Sequence, residues 1–464
     1  MSILFREATR RDVFRGSAKT AGALLLSTVL GGRIAHAAVN TEKFLQNGKI
    51  AFGTILPLSG GFTIVSQPWI HAIQYAIEEI NAAGGVKIDG KSYQVVNPIG
   101  DEMYSAAGGL AAFKKMAADN VHYTGGYVSV EAPAAVQGIN VRNNAMLIEG
   151  ITGKDLCLTN NTLRFYEYAL AQATGPYMAH YAFHVLKARR VGSIELANTW
   201  GNDFYMSFRR TFEQLGGKML ERSFLEPSQT DFSAEISKMV NAKVDLFYII
   251  MGDGPGSAVA LQARNGGLSG IPLMAQGAWG PEMFTDAGGA PSIDGTVYPG
   301  ARPYVMWDEM HTKLCARLHK DTGLWLNNWF WHGYDSTKIV LWAMEKANSL
   351  DPREVIRAIP AVATERTNEL MIRPQGAVTT KQKGVFLKIP MWLGRFNAKA
   401  DFMTQTALAP VEDDIYRGLP GWMPENWEGY TANPHNSKVN WYPTLDELLA
   451  MRKAAGEKIV PVSL

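Results

Sequence analysis

From Lys49 onward the apolar residues switch between two spacings. Residues 50–56 form an apolar-rich run of strand length. Trp69, Ile70, Ile73, Ala76, Ile77 and Ile80 then recur on one helical face before Gly84-Gly85 ends the pattern. The alternation continues with strands expected at 93–99, 121–127 and 145–148, and helices at 106–118 and from Pro133 to about 142. A second set places strands at 163–168, 191–196, 218–225, 245–251 and 271–275, with helices at 176–187, 203–215, 232–240 and 257–263. Strands alternating with helices of this length predict parallel β-α-β units.

Beyond Gly295 the pattern predicts a short strand at 296–298, helices at 308–319, 328–347 and 351–359, and closing strands at 370–372 and 385–392. Pro352 suits the first turn of its helix. Between 410 and 443 periodicity is lost, and Trp422, Trp427 and Trp441 stand among prolines and glycines. That composition predicts an irregular wrapping tail whose tryptophans fill grooves. The fold class is therefore α/β: two Rossmann-like lobes on parallel sheets, with an irregular C-terminal tail.

Composition narrows the possibilities. A chain of 464 residues, 47% apolar and 19% charged, has enough material for two or three cored domains. Its formal charge of +2 is shaped by the first 37 residues, which hold six basic and two acidic side chains. The remaining body is slightly acidic and carries no electrostatic footprint for nucleic acid. Residues 1–37 have the parts of a cleaved export signal: Arg10-Arg11, an apolar stretch at 21–30, and Ala35-His36-Ala37. The paired arginines are like those of a twin-arginine signal. The apolar stretch is shorter than the ~20 residues needed to span a bilayer. Cys157 and Cys315 are the two cysteines, and either a disulfide or two buried thiols fits them.

Ser59-Gly60-Gly61, which joins the first strand to the first helix, admits three kinds of chemistry. Phosphate binding has little support. Gly252-Asp253-Gly254-Pro255-Gly256 lacks the third glycine of the dinucleotide fingerprint, and no P-loop pattern occurs. A nucleophile elbow is missing half its frame at Ser59, where Pro57 replaces the first glycine, and both glycines at Ser129, where Tyr127 and Glu131 stand instead. His180 and His184 share a helical face but lack the intervening glutamate of a zinc helix, and a surface pair is expected. The third reading is a solute cleft. The predicted strand ends carry Ser59, Phe62, Val128-Ser129-Val130, Gly150-Ile151-Thr152, Thr199-Trp200-Gly201, Asp253 and Trp279. These are small, hydroxylic or aromatic residues with almost no titratable groups, at the end of a parallel sheet where ligands bind. They supply binding chemistry without a proton-transfer pair, and no cofactor or metal is expected.

Three segments together resemble the extracytoplasmic solute-binding proteins of the branched-chain and hydrophobic amino-acid ABC transporter family. They are ILPLSGG with AIEEINAAGGVKIDGKSYQVV, GGYVSVEAPAAVQGINVRNNAMLIEG, and the stretch from TWGNDFYMSFRRTFEQLGG to DGPGSAVALQARNGGL. The resemblance covers roughly 49–393. It implies a type I periplasmic binding fold with two lobes joined by a three-strand hinge that closes on one small-molecule ligand. The expected domains are a first lobe at 49–170 with 296–347, a second at 171–295 with 348–405, and the tail at 406–464. The resemblance further implies that Val128, Ser129, Val130 and Thr152 hold a ligand carboxylate and that Trp200 caps the ligand. Asp253 and Trp279 lie at other loops of the second lobe, and Ser59, Phe62 and Tyr168 complete the expected set. The implied partner is an ABC permease at the inner membrane, and the implied location is the periplasm.

The sequence departs from that family at one point. Amino-acid-binding members hold the ligand's ammonium with acidic residues, at positions that fall here near Ala171 and Gly277. Neither is acidic, and an unpartnered buried ammonium is costly. The expected solute is therefore an aromatic or other small carboxylate, or a neutral polar molecule. Branched-chain amino-acid binding remains open if Glu167 or Asp253 substitutes, as does a sensory receptor of the same fold. An exported enzyme using Asp253 or Glu167 as base is opposed by the lack of acid-base pairs.

Overall fold

The computed structural model describes residues 41–59, 62–150, 161–167, 171–226, 228–251, 253–276, 295–300, 309–324, 326, 328–374, 376–379, 384–389, 392–395 and 406–408. The expected leader and nearly all of the expected tail, with its three tryptophans, lie outside them.

In chain order the first strands are β1 (Leu45–Gln46), β2 (Lys49–Leu56), β3 (Val86–Ile88), β4 (Lys91–Tyr93), β5 (Val95–Val96), β6 (Ile99–Asp101), β7 (Tyr123–Gly126), β8 (Met146–Glu149) and β9 (Arg164–Tyr166). Then follow β10 (Arg190–Leu196), β11 (Lys218–Leu225), β12 (Leu246–Ile250), β13 (Leu273–Gln276), β14 (Val297–Gly300), β15 (Ala377–Thr379), β16 (Val385–Leu387), β17 (Trp392–Arg395) and β18 (Thr406–Leu408). The helices are α1 (Ser66–Ala82), α2 (Ala106–Ala118), α3 (Glu131–Asn140), α4 (Ala171–His180), α5 (Thr199–Gln214), α6 (Ser233–Asn241), α7 (Asp253–Ala263), α8 (Glu309–Thr322), α9 (Asn328–Ala347) and α10 (Pro352–Glu365).

Among the described residues the strands form two large sheets. The first runs β1-β2-β7-β8-β9-β16-β15, with β5 and β6 also paired to β2. The second runs β11-β10-β12-β13-β14-β17-β18. The pairs β2–β7, β7–β8 and β8–β9 in the first sheet, and β10–β12 and β12–β13 in the second, are parallel. The sequence explains this. Every residue of β2 after Lys49 is buried, as is every residue of β12, and strands covered on both faces read as continuous apolar runs. Helices supply the cover. Trp69, Ile70, Ile73, Ala76 and Ile77 form the buried face of α1. That helix ends at Gly84 (φ 103°) and Gly85 (φ 82°), and a Cβ on Gly85 would lie 2.3 Å from the carbonyl oxygen of Tyr93.

Several local expectations are corrected. The helix expected at 176–187 starts earlier, at Ala171, with Pro176 inside it, and continues as a π-helical turn over Tyr181–Val185. His180 and His184 are not a surface pair: His180 is buried and the two rings stack 5.6 Å apart. Residues 370–372 are not a strand. The N–H groups of Met371 and Ile372 donate to the Asp335 carboxylate of α9, both at 2.8 Å, and so are taken from any ladder. The single strand expected at 385–392 is two, β16 in the first sheet and β17 in the second.

The lobe boundaries differ in the same way. Residues 296–347 were expected wholly in the first lobe, yet β14 pairs with β13 of the second sheet. Residues 348–405 were expected in the second lobe, yet β15 and β16 complete the first sheet beside β9. The aromatic ladder explains the return of β16: Phe386 stacks on Tyr166 at 4.0 Å, and the Arg164 guanidinium covers the other partner of that pair at 4.4 Å. Arg164 also forms a buried ion pair with Glu149 of the adjacent β8. Breaking it by Arg164→Leu leaves a buried carboxylate without its cation. The expected loss is about 3–5 kcal/mol, with a smaller loss in the Arg164→Leu/Glu149→Leu double variant. Equilibrium urea denaturation of the three proteins checks this, and equal losses in single and double variants would contradict it.

Candidate functional site at the carboxyl ends of the strands

The parallel strands of the first sheet deliver β2, β6, β7 and β8 to one end, and left-handed backbone gathers there. Phe62 (φ 61°) follows β2, Met103 (φ 49°) and Tyr104 (φ 47°) follow β6, and Tyr127 (φ 65°) follows β7. Non-glycine residues in this region each cost on the order of 1 kcal/mol, and such strain concentrates where a site needs a particular geometry. Gly126, at φ 111°, is required for a second reason: a Cβ there would lie 2.4 Å from the carbonyl oxygen of Ile55.

Asp101 fixes the end of β2. Its Oδ1 accepts from the N–H groups of Leu58 at 2.9 Å, Met103 at 2.8 Å and Ser59 at 3.4 Å, and its Oδ2 from the Ser59 hydroxyl at 2.6 Å. Burial raises the Asp101 pKa, but the bonds from Ser59, Met103 and Leu58 outweigh it and hold the carboxyl below its ordinary value. Ser59 is thus an exposed residue at the end of β2 whose hydroxyl donates to the Asp101 carboxylate. Residues 60–61 lie outside the described residues.

Glu102 reaches across the end of β2. Its backbone N–H donates to Leu56, and its side chain accepts at Oε1 from the N–H groups of Val128 and Ser129, both at 2.9 Å. Val128, Ser129 and Val130 are all buried, and the Ser129 hydroxyl accepts from the N–H of Ala132 in the first turn of α3. The groups expected to face a ligand carboxylate thus hold a carboxyl of the chain itself. Glu102 is fully buried, and its Oε2 has no hydrogen-bond partner. Burial pushes its pKa to about 8, and the charges of Glu131 and Asp101 add to the rise. Sequence reading passed over Glu102. The available signal was a second acid directly after Asp101 at a strand end.

An aromatic wall stands beside these groups. Phe62 packs on Tyr104 with ring centroids 4.6 Å apart. From the second lobe, Asn198 donates to the Tyr104 hydroxyl at 3.4 Å, while its Oδ1 accepts from the N–H of Gly201 and caps α5. Trp200, in the first turn of α5, is buried and packs on Phe204 at 5.0 Å. Asn198 was not among the expected residues, although an Asn before a predicted helix is a recognisable cap.

Asp253 opens α7. Thr152, Tyr168 and Trp279 lie outside the described residues, as does Cys157; Cys315 is buried. Ala171 opens α4, buried, with its carbonyl accepting from Ser207 at 2.6 Å. Glu167 follows β9 and is buried. A Cβ on Gly150 would lie 2.3 Å from the Trp69 ring and 3.5 Å from the Glu167 carboxyl. Burial raises the Glu167 pKa well above its ordinary value, with the charge of Asp335 adding to the rise. Beside it, Trp69 stacks on Trp329 at 5.4 Å. Among the described residues no cluster of His, Cys, Asp and Glu could hold a metal ion, and no helix is long and apolar enough to cross a membrane.

The family profile of the periplasmic binding proteins matches residues 49–401. The chain belongs to this family. Like its relatives, it is a periplasmic solute-binding protein and not an enzyme. It is 21% identical over 342 residues to the Leu/Ile/Val-binding protein BraC3 of Rhizobium johnstonii, covering 73% of this chain and 87% of the relative. Its fold is that of the branched-chain amino acid transporter substrate-binding protein LivJ of Streptococcus pneumoniae, solved with isoleucine (TM-score 0.64, 18% identity, 75% of this chain and 97% of the other). It is also that of a solute-binding protein of an ABC transporter from R. palustris, solved with benzoate (TM-score 0.63, 14% identity, 82% and 98%).

The state of Glu102 in this binding protein has a measurable signature. Its native pKa lies above the ordinary 4.5 of the unfolded chain. The native state therefore holds the proton more tightly, and stability falls as pH rises from about 4.5 to about 8, then levels. Glu102→Gln removes this contribution. The melting temperature of the variant relative to the wild type is expected to climb across that window and stay constant above it. A pH-independent difference in differential scanning fluorimetry would refute it.

Proposed function

We propose that this protein is the periplasmic solute receptor of an ABC uptake transporter and that its solute is a small organic molecule without a cationic amine. Candidates are an aromatic or other small carboxylate, or a neutral polar solute. The expected lining is Ser59, Phe62, Val128, Ser129, Val130, Thr152, Tyr168, Trp200, Asp253 and Trp279, with a twin-arginine leader as the export route and the permease as partner.

Ala171 carries this reading. A buried methyl group stands near the position where the family resemblance puts an acid for the ammonium. The acid four residues earlier, Glu167, is buried, and burial together with the charge of Asp335 raises its pKa and disfavours its ionised form. An ammonium group needs an ionised or strongly accepting partner when it leaves water. The aromatic pair Phe62–Tyr104 and the buried Trp200 offer apolar walls instead. A neighbour of the same fold solved with benzoate is consistent with an aromatic solute.

A second reading rests on a different observation. The Rhizobium relative is named for leucine, isoleucine and valine, and the Streptococcus neighbour was solved with isoleucine. On that reading Asp253 or an ionised Glu167 holds the ammonium. Native mass spectrometry of the purified protein, followed by denaturing release, separates the two. A bound molecule lacking an amine is expected. Recovery of a leucine-like amino acid would overturn the first reading and establish the second.

A further inference from the structure

The start of a helix, where free N–H groups converge, is the ordinary seat for an anion. At the start of α3 that seat is filled. The Glu102 carboxyl, anchored from β6, accepts from both Val128 and Ser129 at 2.9 Å. A solute carboxylate binding to those N–H groups would have to displace it.

The surroundings add two facts. The charged groups acting on Glu102 are Asp101 from β6 and Glu131 from α3, both acidic; the phenols facing it are Tyr104, after β6, and Tyr127, after β7. A second anion placed here meets like charge from both elements. Meanwhile Glu102 Oε2 is buried and has no hydrogen-bond partner. A neutral carboxylic acid has one oxygen that accepts and one that donates. Here Oε1 does the accepting, and Oε2 carries a donor with nothing to receive it.

We propose that Glu102 is a specificity-determining residue of the solute site: it closes the α3 anion seat and offers its second oxygen, as O–H, to the carbonyl of a neutral solute such as a carboxamide. This rests on the receptor reading and narrows its solute class from carboxylate or neutral polar molecule to the neutral one. It also fits the wall formed by Phe62 and Tyr104, two residues beyond Glu102, which adds apolar contact and no charge.

The test is isothermal titration of the purified protein with matched pairs, benzamide against benzoate and isobutyramide against isobutyrate. None of these four changes charge between pH 7 and pH 9. One of the amides is expected to bind at least about tenfold more tightly than its carboxylate. Because only the acid form donates and the group titrates at about 8, wild-type affinity is expected to fall about tenfold from pH 7 to pH 9. Glu102→Gln accepts through oxygen and donates through nitrogen at every pH, so its affinity should be flat over that range. Glu102→Leu should lose the preference for amide over carboxylate. Tighter binding of the carboxylates by the wild type, or a pH-flat wild type, would overturn the role of Glu102 and leave the receptor reading standing. Silence from all four probes together with an amine-free carboxylate recovered by native mass spectrometry would also overturn Glu102 alone, whereas a recovered amine would overturn both the role of Glu102 and the amine-free reading of the solute. Silence from all four with no recoverable solute would overturn both.

Discussion

A parallel sheet sends every strand's carboxyl end to the same side, and the chemistry of this protein collects there because of it. β2, β6 and β7 end within reach of one another, so Asp101 can hold the turn after β2 while Glu102, the next residue, holds the turn after β7. Two adjacent carboxyls of opposite state result. Asp101 is exposed enough and bonded enough to stay ionised, while Glu102 is buried, accepts only at one oxygen, and keeps its proton near neutrality. One peptide step along the chain changes the balance between hydration and hydrogen bonding.

Much of the fold was legible. Apolar-rich runs such as 50–56 and 246–250 can be read as doubly covered strands, and α1 announces itself through its apolar spacing and its glycine stop. What could not be read was set by contacts distant in sequence. Residues 370–372 have the composition of a strand, but Asp335 on α9 takes their N–H groups. His180 and His184 read as a surface pair because helical spacing does not say which face is covered. The membership of β14, β15 and β16 depends on which edge of which sheet is vacant, a property no local window contains.

The site was legible in outline only. Small, hydroxylic and aromatic residues at strand ends marked the region, where Phe62 follows β2 and Ser129 follows β7. Glu102 escaped notice because an acid at a strand end reads as solvated surface unless the loop opposite is known to present N–H groups. Asn198 escaped because a helix cap explains only one of its two bonds; the other, to Tyr104, crosses between lobes. Both residues act through partners supplied by other segments, and pattern reading is weakest for such residues.

The return of β16 to the first sheet has a consequence for how the chain matures. The first sheet takes strands from residues 45–166 and again from 377–387, and the second from 190–300 and again from 392–408. Neither lobe is a contiguous stretch of polypeptide, so neither can be finished while its own segment alone has been synthesised. The edge of β9 that Tyr166 will share with Phe386 stays open until more than two hundred further residues have left the ribosome. An open parallel edge of buried apolar residues is prone to wrong pairing. For this protein the vulnerable interval of biogenesis covers the synthesis of β10–β14 and of α8–α10, and it closes for both lobes almost at once.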